Sequence, residues 1–102
     1  MFKAMILLKR KETLSFEDFK EYWLNHHSVL VKQLPGLRKA VFNFDTSNGN
    51  GEIDAVSELW FDGEDDFTRA YASEIGQQVA EDSLSRVATR TRVLVEEHVV
   101  VE

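Results

Sequence analysis

The chain has 102 residues, 43% hydrophobic and 29% charged, with a formal net charge of -6, the balance of one soluble domain with enough apolar material for a core. It contains no cysteine, which excludes a disulfide framework, thiolate catalysis and the commonest structural zinc sites. Its acidic balance argues against nucleic acid or an acidic membrane surface as partner, because the short basic cluster Lys9-Arg10-Lys11 is followed at once by Glu12.

Residues 2–10 alternate as a strand, with Phe2, Ala4, Ile6 and Leu8 on one face and Met5 and Leu7 on the other. This apolar stretch is too short for a signal-peptide core with its flanks and far too short to span a bilayer, so a cytoplasmic address follows by default. Ser15 opens a helix, with Asp18 at capping-box distance. Phe16, Phe19, Trp23, Leu30 and Leu34 then recur at helical spacing until Pro35-Gly36 ends it. Strands are expected over 37–45 and 53–61, joined as a hairpin through Ser47-Asn48-Gly49-Asn50-Gly51. Asp62 can cap a short helix to about Tyr71, and Ser73 a second piece to about Val87. A valine-rich strand is expected over 91–101.

The order β-α-β-β-α-β over residues 1–102 is that of a single ferredoxin-like α+β domain, with helices on one face of a four-stranded antiparallel sheet. A sheet face open to water should read polar. Here the first strand is apolar on both faces, and in the last Val93 and Val95 oppose Leu94. A second copy of the same sheet is the simplest cover, which predicts a homodimer.

His27 falls inside the buried stripe of the first helix, one turn after Trp23. It reads either as a core histidine bonded to a backbone carbonyl or a strand side chain, or as a polar group that binds, or exchanges protons with, a small molecule in an apolar pocket. His26 points about 100° away, toward the edge of the stripe, where it lines a pocket only at its rim. No His-x-x-x-His or His-Glu-x-x-His spacing occurs, so no metal site is expected. Glu58 shares a strand face with Val56 and Trp60. If that face meets the helices, Glu58 is the natural carboxylate for His27, with Trp23 and Trp60 as pocket walls. No glycine-rich phosphate loop or Gly-x-Ser-x-Gly elbow is present.

Phe19-Lys20-Glu21-Tyr22-Trp23, His27, Leu34-Pro35-Gly36-Leu37, Glu58-Leu59-Trp60-Phe61 and the run from Thr91 to His98 together resemble the signature of the EthD family. The resemblance implies two ferredoxin-like sheets packed face to face as a dimeric α/β barrel, with a pocket between helices and sheet in each subunit. Relatives of that kind include muconolactone methylisomerases and fungal polyketide-tailoring enzymes; in the methylisomerase-like members the helix histidine corresponds to His27 and acts as acid or base. An aromatic hydroxyl follows the Pro-Gly-Leu run in the methylisomerase-like members; Lys39 or Ala40 stands there here, which weighs against lactone isomerisation.

Three readings therefore compete. The first is a cofactor-free isomerase or oxidoreductase acting on a small apolar carbonyl or hydroxyl compound, with His27 and Glu58 catalytic and Trp23, Trp60 and His26 around the ligand. The second is a non-catalytic binding or accessory protein with the same pocket. The third is a structural dimerisation module with His27 as a satisfied core residue.

Overall fold

The computed structural model of the chain describes residues 1–102. Its strands are β1 (Phe2–Arg10), β2 (Lys39–Phe44), β3 (Ala55–Phe61) and β4 (Val87–Glu96). Its helices are α1 (Phe16–Tyr22), α2 (Ser28–Val31), α3 (Glu64–Ala72) and α4 (Glu74–Arg86), with a π-helical turn (Trp23–His27) joining α1 to α2. The sheet order is β2-β3-β1-β4 with every neighbouring pair antiparallel. This is the α+β, ferredoxin-like architecture expected from the element order.

Strand alternation decides what each face carries. Ala4, Ile6, Leu8, Leu59 and Phe61 lie beneath the helices and form one core with Phe19, Trp23, Phe67 and Val79. The residues between them face away from the helices: Met5 pairs with Glu58 and Val93, and Leu7 with Val56 and Thr91. Lys3 and Lys39 both pair with Trp60 on that same far face. Met5, Leu7, Val41, Val56, Val93 and Val95 thus give it an apolar centre, of which Val93 is 44% exposed.

Local chemistry explains most boundaries. The Ser15 hydroxyl accepts the Asp18 N–H at 3.0 Å, and the Ser73 hydroxyl accepts the Gly76 N–H at 3.1 Å; both are N-caps that satisfy an otherwise free helix donor. Gly76 is required where α4 crosses the end of α3, since a Cβ there would stand 2.1 Å from the Ala70 carbonyl oxygen. Asp54, fully buried beside β1, accepts the Arg10 backbone N–H at 2.8 Å and the Arg10 guanidinium at 2.6 Å. A buried carboxylate persists only when compensated in this way.

Two expected boundaries are corrected. Asp62 does not cap α3: Gly63 holds that position, and Asp62 is bound by the Arg38 guanidinium at 2.8 Å. The last strand spans 87–96 rather than 91–101. It follows α4 without a loop, and it stops because its β1 partner runs out: Glu96 pairs with Phe2. Beyond that point Val99, Val100 and Val101 are exposed. No helix is long and apolar enough to cross a membrane.

Candidate functional site

The first helical run is not a uniform α-helix. Between Trp23 and His27 it widens by one residue, and the Ser28 N–H reaches back five residues to the Trp23 carbonyl. The Trp23 and His27 rings stack here at 3.8 Å between centroids and 23° between planes. Both are buried. The Trp23 indole N–H donates to the Ser57 hydroxyl on β3 at 3.2 Å, and Phe19 packs on the same indole with centroids 5.0 Å apart. The indole is therefore fixed, and it fixes the imidazole stacked on it.

The other anchor comes from α4. His27 Nδ1 lies 2.8 Å from Asp82 Oδ2, and the Tyr22 hydroxyl donates to Asp82 Oδ1. An ionised carboxylate only accepts, so Nδ1 carries the proton and Nε2 presents its lone pair. Burial pushes the His27 imidazole below the ordinary histidine range, more than Asp82 raises it, and the Arg90 charge lowers it further. At neutral pH the ring is uncharged. The Tyr22 hydroxyl is held above the ordinary phenol range, first by its bond to Asp82. The Arg86 guanidinium lies 4.0 Å over the Tyr22 ring.

His27 Nε2 has no protein partner, although no polar side-chain atom sealed from solvent lacks one. It is therefore not sealed off, and His27 helps to line a cavity between the helices and the sheet. Trp23, Phe42, Leu59 and Val79 supply apolar wall, and Ser57, Ser83, Tyr71, Arg90 and Arg92 the polar groups. The space available to the centre of a water molecule is about 40 Å³, room for a few waters at roughly 10–15 Å³ each. Tyr71, on α3, has no hydrogen bond to its hydroxyl; burial raises its ionisation above the ordinary phenol range, so the O–H stays protonated as a donor.

Of the residues expected at the site, Trp23 and His27 come together. Glu58 and Trp60 lie across the sheet from them. The conditional His27–Glu58 pair is corrected: the face shared by Val56, Glu58 and Trp60 turns away from the helices, because their neighbours Ser57, Leu59 and Phe61 fill the core. Glu58 instead accepts from Lys3 at 2.8 Å and Asn43 at 2.9 Å, which hold it below the usual carboxylate range. Trp60 donates to Glu97 at 2.7 Å and lies between the ammonium groups of Lys3 and Lys39, 4.9 and 4.7 Å from its ring. His26 is exposed and stacks on Tyr22, outside the cavity lining. His98 lies beyond β4, exposed and bound to Glu96. The carboxylate that the sequence did not single out is Asp82, which shares the inner side of α4 with Val79 and Ser83 at helical spacing.

Residues 11–86 match the EthD domain model. The chain belongs to the EthD family. Its fold is that of an EthD family protein from Bacillus halodurans, with a TM-score of 0.82 at 22% identity over 96% of this chain and 99% of the other. A Thermobifida fusca protein described as dimeric, ferredoxin-like and of unknown function gives 0.76 at 21% identity, over 92% and 88%. A structure described as an antibiotic biosynthesis monooxygenase gives 0.71 at 12% identity, over 96% and 99%. Comparison with curated proteins returned no match. At these identities the likenesses establish the fold.

Proposed function

We propose that this EthD protein is a small-molecule enzyme that moves protons without a cofactor, with His27 as general base and then general acid. The observation that carries the reading is a buried imidazole whose Nδ1 is committed to Asp82 while Nε2 has no protein partner, in a residue that lines a cavity of mixed apolar and polar wall. A tautomer fixed on one side by a carboxylate is what a histidine base requires. The substrate class is a small, mostly apolar carbonyl compound with a C–H beside the carbonyl. Nε2 takes that proton, the C–H electron pair becomes an enolate, and the Asp82 carboxylate stabilises the imidazolium formed. The Tyr71 O–H is a donor available to the enolate oxygen. The imidazolium proton exchanges with water, and delivery of a proton from Nε2 to the same carbon or to a different one gives back the compound or an isomer, with no change of oxidation state.

The test is exchange in heavy water. A panel of enolisable ketones and lactones is incubated with the protein, and deuterium uptake is followed by NMR. Exchange by the wild type that falls about 10²–10⁴-fold in His27→Ala is expected. Unchanged exchange in that variant rejects the role of His27. Binding without exchange across the panel rejects catalysis and favours the accessory-protein reading.

We also propose that a second copy covers the far face of the sheet. The support is its apolar centre around Met5, Leu7 and Val93 and the dimeric description of the similar Thermobifida protein. Native mass spectrometry should give a dimer, and Val93→Asp should shift it toward monomer. A wild-type monomer at micromolar concentration rejects the proposal.

A further inference from the structure

The β4 wall of the His27 cavity carries two cations, Arg90 and Arg92, that no carboxylate of the chain pairs with. Arg90 pairs with Leu8 and Arg92 with Ile6, so both project to the side of the sheet that the helices cover. That side is mostly apolar, with Ser57 on β3 and Glu96 at the end of β4 as exceptions, and two arginines at a spacing of two stand out on it. Neither takes part in any ion pair or side-chain hydrogen bond of the chain. Arg92 lies over the Phe67 ring at 5.4 Å. Both line the cavity, and no acidic residue lines it. This occurs in a chain with 18 acidic and 12 basic residues, where a carboxylate neighbour would be easy to find. Both positions also fall outside the segment 11–86 that matches the family model.

A half-buried guanidinium without a partner is a cost to the empty protein that an incoming anion removes. Arginine suits a carboxylate best, because its planar fork can donate two parallel hydrogen bonds. We infer that the ligand of this cavity is a small carboxylate with an apolar body, its anionic end held by Arg90 and drawn in past the exposed Arg92. The inference rests on the reading that the His27 cavity receives the ligand, and it adds the charge of that ligand. The body then lies among Phe42, Val31 and Leu59. Neutralising Arg90 also lifts its charge from the His27 imidazole, so the base is stronger in the complex than in the free protein.

The experiment is an NMR titration of the full chain with two matched pairs, benzoate against benzamide and 1-naphthoate against 1-naphthamide. The Trp23 indole N–H and the His27 ring are observed directly. Carboxylate binding at least about tenfold tighter than amide binding is expected, with a rise in the His27 titration midpoint that the amides do not produce. Arg90→Gln should abolish the preference and Arg92→Gln should weaken it. Equal binding of acid and amide, a preference that survives Arg90→Gln, or no carboxylate binding at all overturns the inference. The two readings fail separately. Acid and amide binding equally while shifting Trp23 rejects the anion site and keeps the cavity. Arg90-dependent carboxylate binding that leaves Trp23 and His27 unmoved keeps the anion site and rejects the cavity as the place of chemistry.

Discussion

The two faces of the sheet carry nearly the same parts, a tryptophan, carboxylates and a basic group, and use them in opposite ways. On the far face Lys3 binds Glu58 and Glu97, Asn43 binds Glu58, and the Trp60 N–H binds Glu97. Lys3 is held above its ordinary range, first by Glu58, and Glu58 below its own, first by Lys3. Every member is committed to a charged partner, so none is poised to trade a proton near neutral pH. Under the helices the Trp23 N–H binds Ser57 and His27 binds Asp82. One imidazole nitrogen and one tyrosine hydroxyl are left without partners beside open space. What separates a structural network from a candidate site is therefore the unpaired atom next to a cavity, since the residue types are alike.

Exchanging one carboxylate amide on each face is the strongest way to break that comparison. Asp82→Asn preserves shape but lets the side chain donate to Nδ1, favouring the wrong tautomer; proton exchange should fall roughly 10²–10⁴-fold. Glu58→Gln should leave exchange near wild type and lower thermal stability instead. Equal losses of exchange in the two variants would contradict the assignment of the two faces. Next, Lys3→Met strands Glu58 and Glu97 together; the melting temperature should fall by a few degrees while the His27 titration, followed by NMR, stays where it was. Trp23→Phe removes the bond to Ser57 and some volume, and denaturant unfolding should report a loss of about 1–3 kcal/mol.

The smallest effect is on pH dependence. The folded protein holds the His27 imidazole below its value in the unfolded chain, chiefly through burial, with Asp82 opposing and Arg90 assisting. Between the two values the unfolded chain binds more protons, so stability rises with pH there. The His27 contribution is complete above the ordinary histidine value, about 6.5, and is lost as pH falls through the lower folded value. A variant lacking the imidazole, His27→Gln, should flatten the acid limb of a stability–pH curve measured by urea unfolding. An unchanged limb would show that His27 is not the group responsible.

Periodicity in the sequence carried the fold well. Alternation found β1, helical spacing found the stripe from Phe16 to Leu34, and serines at 15 and 73 marked two helix starts that their hydroxyls do cap. The apolar character of both sheet faces was visible as well. What periodicity lacks is the choice of face where both alternatives are apolar. In β3 Ser57 sits among core residues while Trp60 faces away, the reverse of what hydrophobicity alone suggests, and Glu58 went with Trp60. Asp82 was illegible for a different reason. Its partner is 55 residues away on another helix, and a single acidic residue beside Val79 reads as ordinary helix surface until the helices are packed. Arg90 and Arg92 did leave a trace, alternating on the strand opposite Val93 and Val95. The final strand was misplaced because valines favour strand wherever they occur, whereas pairing ends when the neighbour does.

The extra residue in the π-helical turn has a consequence for how this chain tolerates insertion and deletion. A π turn is an α-helix with one residue too many, accommodated locally, so the regular helix on either side keeps its register. Deleting the exposed His26 would let α1 run into α2 without interruption, with Val31 and Leu34 still seated in the core. The helix would gain regularity and hydrogen bonding while the imidazole lost its stacking on Trp23 and its alignment with Asp82. At this turn the chain keeps a less regular helix in place of an available simpler one. Fold and site can thus be uncoupled by the removal of a single exposed amino acid that lies outside the cavity lining and stacks only on Tyr22.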